Sequence, residues 1–352
     1  MTDRLLEAAE VAKSLELVVP NGGRPKGLVR YSPRAGRKIV AARIMDVLER
    51  MRASDALPIG PRAVGYRLKE LYPGEYTKDD FPMINEIITR LTQASLVPWE
   101  WVSDGAAVTY EANGWASPAS FLQGVPDTYD RDRRERQPLV VEVFTEARET
   151  LPLIRRVASE RGVTVYSGSG SNGPSLALKV AARALTRAVD YEQSTLILGI
   201  CDFDLSGLRN VLRPHLEHVG AFLYGTSDNE EVLSYHGLQA SEIDAKVSFR
   251  HLALTPELAH GIVTDREDRE RIVTYIASGV DVWTRDLSFL EGIQKVETEA
   301  LDPIELRRVV VEAIEDAIDA KALEDVVAEE ETEREDIRYR LNEIADSIGG
   351  TP

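Results

Sequence analysis

The chain is nearly without cysteine. Cys201 is the one such residue among 352, so no disulfide framework within the chain can hold the fold together. A reducing compartment is expected. Cys201 sits inside an apolar run, which reads as a small buried thiol rather than a nucleophile. No apolar run approaches the length of a membrane span, and the amino-terminal residues carry no signal-peptide core. The expectation is a cytoplasmic protein that does not engage a membrane. Histidine is scarce, with five residues, and none stands at zinc-ligand spacing to the cysteine. A phosphate loop of the form Gly-x-x-x-x-Gly-Lys-Ser/Thr is also missing, so the chain does not read as a nucleotide-driven motor on its own.

Positive charge is in deficit. There are 42 Lys and Arg against 59 Asp and Glu, a net charge of −17, which argues against a nonspecific nucleic-acid coat. The deficit is uneven. Residues 24–43 hold seven bases and no acid: Arg24, Lys26, Arg30, Arg34, Arg37, Lys38 and Arg43. Residues 312–336 hold twelve acids and two bases. The basic stretch suits phosphate tracking, and equally a soluble arm. The acidic stretch suits a solvated face or a partner contact.

The length allows two domains, each with a core. A helical pattern at 5–17 and a Gly/Pro/Arg-rich loop at 20–36 make residues 1–36 a basic arm. Apolar spacing predicts helices at 37–51, 61–71 and 79–94. Strands at 96–102 and 106–111 would then flank Ser103-Asp104-Gly105. Three helices and a hairpin over 37–112 form the winged-helix pattern, a variant of helix-turn-helix DNA binding. Residues 113–137 read as a linker containing a mixed charge run at 130–136, taken as a solvated face. An α/β domain is expected over 138–327, and an acidic helical tail over 328–352. Within the α/β part, 221–224 and 250–254 suggest strands. Thr255 caps a helix opened by Pro256, and 303–327 reads as one long helix. The fold class is thus α/β with an N-terminal mainly-α domain.

The stretch with most chemical content is 196–207. An apolar run of strand length stops at Asp202-Phe203-Asp204, followed by Leu205-Ser206-Gly207 and a helical pattern. A second strand, 139–145, is closed by Glu146 and followed by a helix at 147–161. A third strand at 163–166, a Ser/Gly loop and a helix at 175–189 lie between. Strand–helix alternation implies a parallel sheet with right-handed crossovers. Glu146, Asp202 and Asp204 then end strands on one edge, where open α/β sheets bind ligands. Close carboxylates repel one another and call for a cation. Oxygen-only donors favour Mg²⁺, with Mn²⁺ as substitute. The Asp pair would also serve as a solvated turn capping the next helix. Glu142 shares a strand face with Phe144 and Glu146, and a structural role is favoured for it.

A Glu ending one strand and Asp-x-Asp ending another resembles the TOPRIM domain of topoisomerases, primases and some nucleases. Asp202-Phe203-Asp204-Leu205-Ser206-Gly207 is similar to the Asp-x-Asp-x-x-Gly of the topoisomerase VI A subunit and the meiotic double-strand-break transesterases. The text around residues 129–146, 253–257 and 299–303 resembles phage and prophage relatives of that group, and the likeness spans about residues 38–320. Ala147-Arg148 departs from the Lys-Asp often found after the Glu. The resemblance implies a Mg²⁺-dependent enzyme that cleaves duplex DNA, works as a homodimer in a nucleoid-associated setting, and depends on a separate ATPase subunit for any ATP-driven step.

The resemblance also implies a nucleophile. In the family a helix carries Arg-x-x-Tyr-Tyr, and its second Tyr attacks a DNA phosphate. Arg62 and Tyr66 match that pattern, with Gly65 in place of the first Tyr. Glu146 would join them in catalysis, and Glu146, Asp202 and Asp204 would hold the metal. A symmetric groove would gather Arg62, Arg67 and the basic arm on phosphates. A phenol of pKa near 10 needs nearby cations before it can attack. A tyrosine on an amphipathic helix is also ordinary packing. Two rivals therefore stay open: a hydrolytic nuclease in which water attacks, and a DNA-binding protein without cleavage.

Overall fold

The computed structural model describes residues 31–103, 114–168, 174–224, 247–279 and 287–349. The helical pattern at 5–17, the strand at 106–111, and Arg24, Lys26 and Arg30 lie outside them.

The first helices form where the apolar spacing places them. Helix α1 (Ala35–Ala53) buries Ile44, Val47, Leu48 and Met51 at spacings of three and four. Helix α2 (Pro61–Leu71) opens with Pro at its first position, where the missing N–H costs nothing. Helix α3 (Phe81–Gln93) follows a 3-10 turn, Lys78–Asp80, in which Thr77 and Asp80 cap each other. The three pack together around one apolar cluster. The expected strand at 96–102 is corrected. Pro98 turns the chain into a 3-10 turn, Trp99–Trp101, leaving a single parallel bridge between Ile59 and Val102.

The expected linker is also structured. Helix α4 (Pro118–Gly124) is capped by Ser117, and a 3-10 turn, Val125–Thr128, follows. Both pack on the carboxyl-terminal helix described below.

The second cluster surrounds a four-stranded parallel sheet in the order β2-β1-β3-β4. Strand β1 (Leu139–Thr145) and strand β3 (Ser194–Ile200) are its centre, flanked by β2 (Thr164–Ser167) and β4 (Val247–Ala253). Six of the seven β1 residues are buried, as expected of a strand covered on both faces. Helix α5 (Leu151–Ser159) joins β1 to β2, and α6 (Pro174–Tyr191) joins β2 to β3. After β3 a π-helical turn, Gly207–Leu212, runs into α7 (Arg213–Tyr224). Residues 221–224, expected as a strand, thus complete a helix. Val219 and Leu223, four apart, are both buried, and α7 packs on α6.

Helices α8 (Pro256–Ile262) and α9 (Arg266–Ala277) follow β4. Thr255 caps α8 as expected, accepting from the Leu258 amide. The single helix expected at 303–327 is two: α10 (Pro303–Glu315) and α11 (Ala320–Gly349). Asp319 makes the break. Its side chain caps α11 at the Ala322 amide, and its backbone N–H and C=O are both held by the Gln137 amide, at 2.7 and 2.9 Å. The charge run at 130–136 meets α11. Arg131 pairs with Glu333 at 2.8 Å and Arg133 with the buried Glu330 at 3.2 Å. No helix among the described residues is long and apolar enough to cross a membrane.

Candidate functional site

All four strands are parallel, so their carboxyl ends share one edge. The ladder runs past β1 and β3: the Glu146 amide donates to Ile200, and the Cys201 amide to Ala253. Glu146, Asp202 and Asp204 emerge together there. Glu146 Oε2 lies 3.3 Å from the Asp202 amide nitrogen, which donates to it. Burial first, and then the Asp202 charge, hold the Glu146 carboxyl above the usual range. Asp204 Oδ1 accepts from the Gly207 amide at 2.5 Å, closing the turn into the π-helix. Gly207 is required here. A Cβ on it would overlap the Asp202 carbonyl oxygen and come within 3.1 Å of Glu146 Oε2.

A segment that the sequence reading did not single out crosses this edge. Phe203 and Val296 pair in an antiparallel bridge, which lays residues 295–298 beside the acids. Lys295 Nζ reaches Asp202 Oδ2 at 2.6 Å and Asp204 Oδ2 at 3.6 Å. Thr298 donates through both its amide and its hydroxyl to Asp202 Oδ1, each at 2.9 Å. Burial works against the Lys295 charge, but the Asp202 hydrogen bond and the two Asp charges outweigh it and raise its pKa. The signal was the alternation Lys295-Val296-Glu297, which puts both charges on one side of an extended segment.

Glu297 connects this edge to α2. Tyr66 donates to Glu297 Oε2 at 2.6 Å, Arg62 pairs with the same oxygen, and Lys78 lies 3.9 Å from Oε1. Burial, then the bond to Glu297 and its charge, push the Tyr66 phenol above its ordinary value. Burial also acts on Glu297, but the bonds from Tyr66 and Arg62 prevail and hold its carboxyl low. Tyr66 packs edge-on against Phe81, with ring centroids 5.0 Å apart. Phe81 also explains Gly65: a Cβ there would meet the Phe81 ring at 2.8 Å, so no tyrosine fits beside Tyr66. A cavity of about 540 Å³ runs from Tyr66, Lys69 and Lys78 to Lys295 and α8.

Other residues fall elsewhere. Arg67 is not a surface cation. It is 6% exposed and bound to Glu70, Asp302 and the Ala300 carbonyl, which ties α2 to the α/β body. Arg37 pairs with Glu86 at 3.0 Å, while Arg34 and Lys38 are exposed at the start of α1. Glu142 points away from the edge, and Arg183 grips both its oxygens at 2.8 and 2.6 Å. Cys201 is buried, which pushes its thiol well up.

Three carboxylates and no softer donor suit a hard divalent ion. Among the described residues, however, no three acidic, histidine or cysteine side chains already stand in ligating geometry. Positive charge at Asp202 and Asp204 comes instead from Lys295. The fold and this edge define an α/β protein with an acidic centre at the carboxyl end of a parallel sheet. Set against protein-family models, curated proteins and solved structures, the chain has no match.

Proposed function

We propose that this protein is a Mg²⁺-dependent DNA-cleaving enzyme with a TOPRIM-like centre, in which Tyr66 attacks the phosphodiester. The observation that carries the reading is the convergence of Glu146, Asp202 and Asp204 on one sheet edge, joined through Thr298 and Glu297 to Tyr66 and Arg62. Glu146, Asp202 and Asp204 would hold the ion, which supplies positive charge to a phosphate when bound. The chain's own residues account for the rest. Glu297, kept anionic by Arg62, takes the phenolic proton as the Tyr66 oxygen bonds to phosphorus; the phosphorus–sugar oxygen bond breaks and the departing oxygen takes a proton from water to leave a free hydroxyl end. Arg62, 44% exposed at its side chain, would offer the N–H groups not bound to Glu297 to a phosphate oxygen. The acidic chain binds duplex DNA through Arg34, Lys38 and the basic arm before them, with winged-helix-like use of α1 to α3. A homodimer brings two centres to the two strands, and light scattering should then give about twice the 39.1 kDa chain mass.

A second reading has its own support. The raised pKa of Tyr66 makes it a reluctant nucleophile, which favours hydrolysis with water as the attacking group. One experiment covers both. Supercoiled plasmid is incubated with Mg²⁺ or Mn²⁺ and wild type, Asp202→Ala or Tyr66→Phe, and the products are denatured. Protein bound to DNA ends in wild type only supports transesterification. Free ends and an active Tyr66→Phe support hydrolysis. Equal nicking by wild type and Asp202→Ala removes the acidic edge from the mechanism. Duplex binding without cleavage leaves a DNA-binding protein.

A further inference from the structure

We propose that Lys295 is a resident counter-cation, which occupies the acidic edge in the absence of a divalent ion and must leave when one enters. This rests on the metal-binding reading above and goes beyond it, by naming what the ion competes with.

The argument is one of available oxygens. Asp202 Oδ1 is committed to the amide and hydroxyl of Thr298, and Asp204 Oδ1 to the Gly207 amide. On the two aspartates, the oxygens left to face a cation are the Oδ2 atoms. Both face the Lys295 ammonium, at 2.6 and 3.6 Å. A divalent ion and an ammonium cannot share them, because two cations in one pocket repel. The two sides of this contact differ in freedom. The Asp202 and Asp204 side chains are 11% and 17% exposed and pinned by backbone amides, whereas Lys295 is 47% exposed on a flexible stem. The acids therefore stay and the lysine moves. An ammonium is also a poor substitute for a fixed structural partner, since it has no planar fork to lock both carboxylates. Its departure leaves the edge with one cation again, and delivers the freed ammonium to the cleft beside Tyr66 and Lys78.

Occupation by Lys295 weakens the apparent metal affinity by the fraction of time the oxygens are free. If they are free about a tenth of the time, Lys295→Met should bind Mn²⁺ about tenfold more tightly than wild type. Lys295→Arg, whose planar fork can lock both carboxylates, should bind Mn²⁺ more weakly than wild type, and Asp202→Ala should lose saturable binding. Free Mn²⁺ measured by electron paramagnetic resonance on the full chain reads all four without reference to activity. Saturable binding that Asp202→Ala abolishes but Lys295→Met leaves equal or weaker overturns the counter-cation and spares the metal reading. Absence of saturable binding in both wild type and Lys295→Met overturns both. Wild type alone provides a second measurement. Amine-reactive labelling of Lys295, read by peptide mass spectrometry against the exposed Lys38, should speed up as Mg²⁺ is added. An unchanged or slower rate overturns the proposal.

Discussion

Replacing Arg183 with methionine strands a charge inside the sheet. Glu142 is 2% exposed in the middle of β1, and both its oxygens are held by the Arg183 guanidinium. Removing one partner of a buried ion pair costs about 3–5 kcal/mol, because the remaining charge is left without compensation. The Arg183 side chain is 36% exposed, so water can reach part of the gap, and the lower end, about 3 kcal/mol, is expected. Methionine keeps much of the aliphatic contact with Tyr166, over which the guanidinium lies 5.5 Å from the ring centroid. The loss is therefore electrostatic rather than a cavity. In a chain of this size it should lower Tm by roughly 4 °C. Adding Glu142→Gln should then restore stability in part, since a neutral amide is cheaper to bury unpaired. The assay is urea and thermal unfolding, followed by circular dichroism, of wild type, both single variants and the double variant. If Arg183→Met costs under about 1 kcal/mol, or Glu142→Gln recovers nothing in its background, the pair does not hold β1 to α6 and the reasoning fails.

Gly207→Ala should keep the far-ultraviolet spectrum but lose Mn²⁺ binding and plasmid nicking by at least about tenfold, because its Cβ overlaps the Asp202 carbonyl oxygen and displaces the acids. Undiminished binding would show that the edge tolerates the shift. Gly65→Ala should destabilise by about 1–3 kcal/mol despite the better helix propensity of alanine, since the Cβ meets Phe81 at 2.8 Å, and Phe81→Leu should relieve it. A stabilised Gly65→Ala in urea would refute the packing argument. His215 is fully buried against Phe144, and burial first, then His218, lowers its pKa from 6.5 to about 4. The folded state thus holds it neutral, so its contribution is intact above pH about 6.5 and is lost as pH falls towards 4. The loss reaches about 3 kcal/mol at most by linkage. His215→Phe should flatten that acid limb in unfolding curves, and an unchanged pH profile would remove His215 as its cause.

Much of the sheet and half of the site were legible without coordinates. Val140, Val141 and Val143, and the run from Leu196 to Ile200, are β-rich and continuous because central parallel strands are buried on both faces. Once strands and helices alternate, every carboxyl end falls on one edge, so Glu146, Asp202 and Asp204 had to meet there. Helix α2 could be placed from Pro61 and its apolar spacing alone. The four apolar residues 221–224 read as a strand, because so short a run has no period to tell strand from helix; packing on α6 decided for helix. The break between α10 and α11 was invisible because the residue that makes it with Asp319 is Gln137, 182 positions away. Charge was misleading in the same way. Arg67 looks like any exposed cation in the sequence, and only its burial against Ala300 and Asp302 shows that it is a structural bond. The sequence by itself determined strands β1 to β3, their alternation with helices and the acids that follow β1 and β3, since these follow from local periodicity and chain direction. The tertiary structure alone decided that Lys295, Glu297 and Thr298 cross that edge, 96 positions after Asp202 in the case of Thr298, because such pairing depends on the closing of a long loop and leaves no local pattern to read.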